Sequence, residues 1–563
     1  MRELTGSQRA RLAIREFKTI ADALAIRGFY RPSGKFGKAL EVCLRDLSPE
    51  IYGSMNDPKV VELKGLEYVI DRLPNGIENA EKVILTDEEQ FEDTPFEKIE
   101  PLKRRRTCYK INEKEFCFII SRGLSEIYDI LTHMAFLNSE AKKIYRRIQD
   151  DYGKPRLEWN KLEKNICANR EMACGDLDSA LWNLSIILGR TYHETREVYT
   201  SFEKNRTDNK SNNGFFSLIY NLGKRIENER LCEDDSLVVY LTPSLMNIIG
   251  HQKYGKIWAI NVQEKLLELD LQDRPVHVLS ANLHSAVNVI YGYAGVQQAG
   301  RGEISEDLYR FFAGIRENSS DILELAEKNG LYQILDESGT NIDCQIIDTA
   351  KLDGVALHPG LNIDMEAVQE RKPVLLVMNY AFGAQAFEVM EKLLKPLEKE
   401  DGRVSFNIES ISIMGKAGIL SGDKGDIMLA TAHVYEGSSD NYILENDLSA
   451  EDFDDNVDVY TGPMATVLGT SLQNRDVLEM FQQDWNAVGL EMEGGHYQKA
   501  ISAAMIKGHI PKNIRTRYAY YASDNPLITG NTLAAGAMGQ DGIKPTYMIT
   551  KVILEKIFTA KKM

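Results

Sequence analysis

At 563 residues and 43% hydrophobic content, the chain has the length for roughly two to four cores of ordinary globular composition. No apolar run approaches the roughly 20 residues a membrane span needs, which excludes an integral membrane protein and a membrane partner. A formal charge of −17 argues against nucleic acid as partner, because polyanions are bound by clustered cations.

The N-terminal stretch MRELTGSQRARLAIREFKTIADALAI is charged throughout and lacks a signal-peptide core, so a cytoplasmic protein is expected. The seven cysteines, at 43, 108, 117, 167, 174, 232 and 344, form no CxxC pair and fit reduced thiols. Residues 1 to about 230 read as predominantly helical. Ala10, Ala13, Ile14, Phe17, Ile20, Ala21 and Leu24 keep helical spacing, and Gly28 closes the helix. Asp57-Pro58 predicts a second helix start, ending near Pro74-Asn75-Gly76, and Thr86 to Glu100 reads as an acidic loop. Lys103-Arg104-Arg105-Arg106 reads as a solvated basic face. The longest helical patterns are Leu124 to Ile148 and Leu177 to Phe202.

His133 and His193 fall on these helices. His193-Glu194 begins like a zinc-protease motif, but Glu197 stands where its second histidine belongs, so no metal is expected.

The polar tract Lys204 to Gly214 predicts a boundary, giving a mainly helical region over 1–203, a linker and helix over 204–234, and an α/β domain over 235–563. The α/β reading rests on short β-branched runs at Leu237–Leu241, Ile257–Val262, Val276–Ala281, Cys344–Ile347 and Val374–Met378, alternating with helical patterns such as Glu306–Lys328. Asn282, His284, Ser285 and Asn288 crowd one strand exit, either lining a pocket or capping a helix together with Ser280. Gly292, Gly295, Gly300 and Gly302 match neither a Rossmann nor a Walker spacing.

From Ala487 to Leu527 the sequence reads strand, helix, strand. Val488 to Met492 is an apolar run holding Glu491, with Glu493 and Gly494-Gly495 next; Tyr497, Ala500, Ile501, Ala504 and Met505 recur at helical spacing. Arg517 to Ala522 is a tyrosine-rich strand that gives out at Ser523-Asp524-Asn525-Pro526, placing a carboxylate at the sheet edge where open α/β folds hold ligands.

Glu491-Met492-Glu493 before a helix, with Ser523-Asp524 about thirty positions later, resembles the purine nucleoside phosphorylase and nucleosidase superfamily. Ser523 to Leu527 is most similar to the corresponding stretch of AMP nucleosidase, where Ser-Asp-Lys-Pro-Leu is usual. SIMGKAGILSGDKGDIMLA, Ser412 to Ala430, is similar to that family's glycine-rich turn, and VLLVMNYAFG, Val374 to Gly383, to the strand and loop before it. The resemblance covers about residues 370–563 and implies a nucleoside phosphorylase-like mixed sheet flanked by helices, with no cofactor.

By that resemblance Asp524 is the acid at the purine N7 and Glu493 accepts from the ribose hydroxyls. Met492 packs on the sugar, and Gly383, Gly415 and Ser523 belong to the substrate site. Glu491 either joins them or holds a backbone amide. Tyr518, Tyr520 and Tyr521 offer rings to a base, though alternate ones must face the core. The chain departs from the family at the anion site, where Gly415-Lys416-Ala417-Gly418 follows Met414 instead of an arginine. Lys416 is a compact cation suited to a phosphate, either inorganic or carried on the substrate. The family's water-activating glutamate has no counterpart identified here.

The expected partners are a purine nucleoside or nucleotide, inorganic phosphate and further copies of the chain. The leading reading is cleavage of an N-glycosidic bond, with hydrolysis ahead of phosphorolysis. The rival is a nucleotide sensor that keeps the fold without the chemistry; retention of Glu493 and Asp524 favours the enzyme.

Overall fold

A computed structural model describes the chain apart from residues 1–3, 89–90, 92–93, 104–105, 169–173, 233–234, 249–252, 301–304, 316–318, 455, 530–537 and 560–563. Two units divide it: Met1–His251 with Ser471–Val477, and Gln252–Thr470 with Leu478–Met563.

The first unit opens with the helix Gly6–Arg27, started by a Thr5–Gln8 capping box and stopped at Gly28, whose φ of +80° a side chain would strain. Its apolar stripe is buried as the spacing predicts except at Ile20, which is half-buried. The helix Gly123–Arg147 buries nearly its whole length, His133 included, whereas His193 is exposed.

The 177–202 pattern divides into Cys174–Leu188 and Tyr192–Asn209. Gly189, at φ +68°, breaks the first, and a Thr191–Glu194 capping box starts the second. Asp57-Pro58 opens no helix. The helix that follows is Leu63–Ile70, capped by the Glu62 carboxylate, which accepts from the Lys64 and Gly65 N–H groups.

The larger departure is a six-stranded sheet, five of whose strands fall within the region read as helical. Its strands are β1 (Phe29–Tyr30), β2 (Lys82–Thr86), β3 (Glu97–Lys98), β4 (Thr107–Asn112), β5 (Glu115–Ile119) and β6 (Val238–Leu241). They lie in the order β1-β6-β2-β5-β4-β3, with β6, β2 and β5 parallel. The hairpin β4-β5 carries no glycine or proline signal; the Asn112 carboxamide turns the chain by accepting the Lys114 N–H at 2.8 Å. Because β6 belongs to this sheet, the Val238–Leu241 strand lies in the first unit; residues 204–209 of the polar tract are the last turns of the helix Tyr192–Asn209, and only 210–214 link it to Phe215–Leu231.

In the second unit β7 (Val276–Ser280), β8 (Leu331–Ile334), β9 (Cys344–Asp348), β10 (Val374–Met378), β13 (Ile408–Ile419), β14 (Ile427–Tyr435), β15 (Asn441–Ile443), β16 (Val459–Thr466), β17 (Gly489–Glu491) and β18 (Arg515–Asp524) form one mixed sheet. Its path is β15-β14-β16-β17-β13-β7-β10-β9-β8, and β18 pairs with β13 and β14; a separate hairpin joins β11 (Leu397–Lys399) to β12 (Gly402–Val404). The alternation of the strands sends side chains to two cores. Val278, Leu376, Ile413 and Tyr520 meet the helices Lys253–Glu268, Gln385–Leu393 and Gly494–Lys507. Leu279, Val377, Met414 and Tyr521 meet Leu283–Ala299, Leu308–Gly314, Ser319–Lys328 and Ile543–Thr559.

The chain is thus α/β, with mixed sheets flanked by helices. Ile257–Val262, read as a strand, is helical: Trp258, Ala259, Val262 and Leu266 bury one helical face against the sheet. Among the described residues no helix is long and apolar enough to cross a membrane.

Candidate active site

The strand β13 changes neighbour part-way along. It pairs in parallel with β7 as far as Ile413 opposite Ser280, and antiparallel with β17 only from Gly418 opposite Leu490. Between these points Met414 to Ala417 has no strand partner on that side, and the sheet opens. On the other side β18 runs alongside to Ala417 opposite Ala522 and Gly418 opposite Asp524. The parallel strands β7, β10, β13 and β18 end towards the same edge, the position at which a switch in strand order leaves a crevice for a ligand.

Asp524 ends β18 at this opening, with 6% of its surface exposed. Its Oδ1 accepts the Ser523 hydroxyl at 2.6 Å, while Ser523 itself is a further 3.1 Å from the Ala417 carbonyl oxygen. Its Oδ2 is buried without a hydrogen-bond partner among the described residues. Burial raises the carboxyl above its ordinary pKa, against the opposing pull of the Ser523 hydroxyl and the Lys416 charge. A carboxyl with an unused oxygen and a strengthened hold on its proton suits a general acid.

Glu493 stands half-buried at the start of the helix Gly494–Lys507. The Gly383 N–H, in the loop leaving β10, donates to its Oε1 at 2.9 Å, so two residues 110 apart in sequence meet here. Gly383 takes φ +54°, which this approach exploits. Met492 is buried, and Glu491 is turned inward and engaged by backbone N–H groups, Thr466 and His433. Of the two roles open to Glu491 in the sequence, this placement is that of a backbone partner.

The expected glycine-rich turn is not a turn. Gly415 to Gly418 continue β13, because the register with β18 runs through Gly415 opposite Tyr520 and Lys416 opposite Tyr521, with an irregularity only at Ala417–Gly418. Lys416 is accordingly an exposed strand residue whose charge reaches Asp524. Since both faces of the sheet are core, Tyr518, Tyr520 and Tyr521 are all buried and serve packing.

Two residues that sequence reasoning passed over lie here. Tyr380, after β10, covers Gly415: a Cβ on that glycine would sit 3.7 Å from its ring, and its hydroxyl interacts with the Asn282 backbone. His433 of β14 is fully buried against Glu491. An aromatic two residues beyond a buried strand was the available signal for Tyr380; His433 gave none. At the exit of β7, Asn282 starts the helix Leu283–Ala299 without a side-chain cap, and Asn288 donates to the Tyr547 hydroxyl at 2.7 Å. Among the described residues no group of three or more His, Cys, Asp or Glu side chains is placed to hold a metal ion.

Residues 38–308 and 305–559 match the model described as Family of unknown function (DUF6909). The chain belongs to this family. A search of curated proteins finds no match. Among solved structures the DUF6909 chain is similar to a 5'-methylthioadenosine/S-adenosyl homocysteine nucleosidase from Campylobacter jejuni, at 12% identity and TM-score 0.31 over 51% of this chain and 100% of that one. It is also similar to futalosine hydrolase of Helicobacter pylori strain 26695, at 11% identity and TM-score 0.29 over 51% and 98%. AMP nucleosidase from Bacteroides thetaiotaomicron matches at 13% identity and TM-score 0.26 over 54% and 96%. Likenesses at these identities and scores carry no weight for substrate or activity.

Proposed function

We propose that the second unit cleaves the N-glycosidic bond of a purine nucleoside or nucleotide. The observation that carries this reading is the Asp524 carboxyl, buried at the opening in the sheet, holding its proton more tightly than usual, with Oδ2 unengaged. Glycosidic cleavage builds cationic character on the sugar while charge moves onto the leaving base. Protonated Asp524 donates to the base as the bond to C1′ breaks, so the base departs neutral. The Glu493 carboxylate accepts from the sugar hydroxyls and opposes the growing positive charge, with the Gly383 N–H fixing its orientation. Met492 borders the sugar, and Lys416 offers its ammonium to a phosphate on the substrate or to inorganic phosphate.

Water or phosphate adds to C1′ on the opposite face from the base. The Ser523 to Leu527 stretch, similar to AMP nucleosidase, favours water. The test is incubation with adenosine, inosine, guanosine and their 5′-monophosphates, with and without phosphate, followed by chromatography for free base. Base release without phosphate supports hydrolysis, and release only with phosphate supports phosphorolysis. Tight binding with no release under either condition replaces the enzyme with a nucleotide sensor.

A further inference from the structure

Glu493 opens its helix without a side-chain cap of its own, so its backbone is held by something else. That something is Glu491. With 4% of its surface exposed, it accepts the Glu493 N–H at 2.5 Å, the Gly494 N–H, the Gly495 N–H at 3.4 Å and the Thr466 hydroxyl at 2.5 Å. These are the N–H groups that a helix start leaves without intrahelical partners. A carboxylate inside the protein needs compensation for lost solvent, and removing its partner leaves an uncompensated buried charge.

His433 supplies the partner. From β14, with 0% exposure, it places Nδ1 3.4 Å from Glu491 Oε1. The other titratable groups facing the pair are Tyr435 of β14, Tyr518 and Tyr520 of β18, and Glu493, with His496 behind Tyr435 at a ring separation of 5.2 Å. Burial raises all three tyrosines and keeps them neutral. His433 is therefore the basic side chain in contact with Glu491, and neither of its ring nitrogens has a hydrogen-bond partner among the described residues.

We propose that His433 is a positioning residue: its contact with Glu491 holds that carboxylate where it grips the Glu493 and Gly494 N–H groups, and so holds Glu493 at the opening of the sheet. The assignment of Glu493 to the sugar rests on the activity proposed above; the chain of contacts from His433 to the Glu493 backbone does not. With histidine present, burial pushes the Glu491 carboxyl up but His433, Thr466 and the Gly494 N–H together hold it below its ordinary value. Removing His433 takes away one of the contacts that oppose burial, so Glu491 in such a variant is held less firmly as a carboxylate.

The test compares the full-length wild type with His433→Phe and His433→Gln. The first readout is the amide protection factor of the 489–500 segment by hydrogen exchange at about pH 6 and about pH 9, which needs no activity. The second is kcat/KM for base release from AMP and adenosine. Expected is a loss of protection of about tenfold or more at about pH 6 in His433→Phe, recovering towards wild type at about pH 9 as Glu491 ionises, with kcat/KM following. His433→Gln keeps a donor but no charge and should show the same trend at smaller amplitude; it carries the test if His433→Phe does not fold. Protection equal to wild type at both pH values, or an equal loss at both, overturns the proposal, the latter marking His433 as packing only. If the wild type releases no base while the protection factors behave as expected, the activity fails and the positioning stands.

Discussion

Replacing Asp524 with asparagine separates chemistry from folding at the proposed site. The amide can still accept the Ser523 hydroxyl at Oδ1, so that 2.6 Å bond survives. What is lost is the proton donor. General acid catalysis is worth about 10²–10⁴-fold, or about 2.7–5.4 kcal/mol of barrier at 1.36 kcal/mol per tenfold. Stability should move the other way. Because burial raises the Asp524 carboxyl, its contribution to stability is full below the unfolded pKa of about 3.9 and is lost as pH rises through the higher folded value. Asparagine, which never ionises, escapes that loss.

The attraction to Lys416 is forfeited, but that lysine is exposed and such a pair contributes about 0–1 kcal/mol. Thermal melts near pH 8 should therefore place Asp524→Asn at or above wild type, with the difference shrinking towards pH 4, while chromatography shows base release down by at least about a hundredfold. Normal turnover, or a variant less stable than wild type at neutral pH, would refute the assignment of Asp524 as a buried acid.

Glu493→Gln keeps size and removes charge opposite the developing sugar cation; kcat should fall by about a hundredfold with a smaller change in KM, as steady-state kinetics on AMP would show. Lys416→Ala should weaken binding of AMP several-fold, about 1 kcal/mol, and leave adenosine nearly unaffected in calorimetry; equal losses would make the lysine structural. Gly494→Ala would press a methyl onto the Tyr520 hydroxyl and to within 2.5 Å of His433 Cε1, both buried. Overpacking of this kind costs about 1–3 kcal/mol, which a lowered denaturation midpoint would register.

Sequence periodicity by itself determined the helices Gly6–Arg27 and Gly123–Arg147 and the strand β10, because each carries a long or uniform apolar pattern with clear stops. It also determined that Glu493 and Asp524 lie near strand ends, since Gly494-Gly495 and Asn525-Pro526 punctuate the chain directly after them.

Only the tertiary structure decided the rest. Apart from β6, the strands of the first unit's sheet were hidden, being only two to six residues long with a hairpin turn made by a side-chain hydrogen bond. Gly415 to Gly418 has the composition of a turn, but cross-strand pairing with β18 outweighs local preference and keeps it extended. The orientation of Glu491 into the protein, and of Glu493 onto the Gly383 N–H, could not be told from two acids separated by one residue. It is set by Thr466, His433 and the β10 loop, each at least 25 residues away from its partner in sequence, and brought into contact by the order of strands in the sheet.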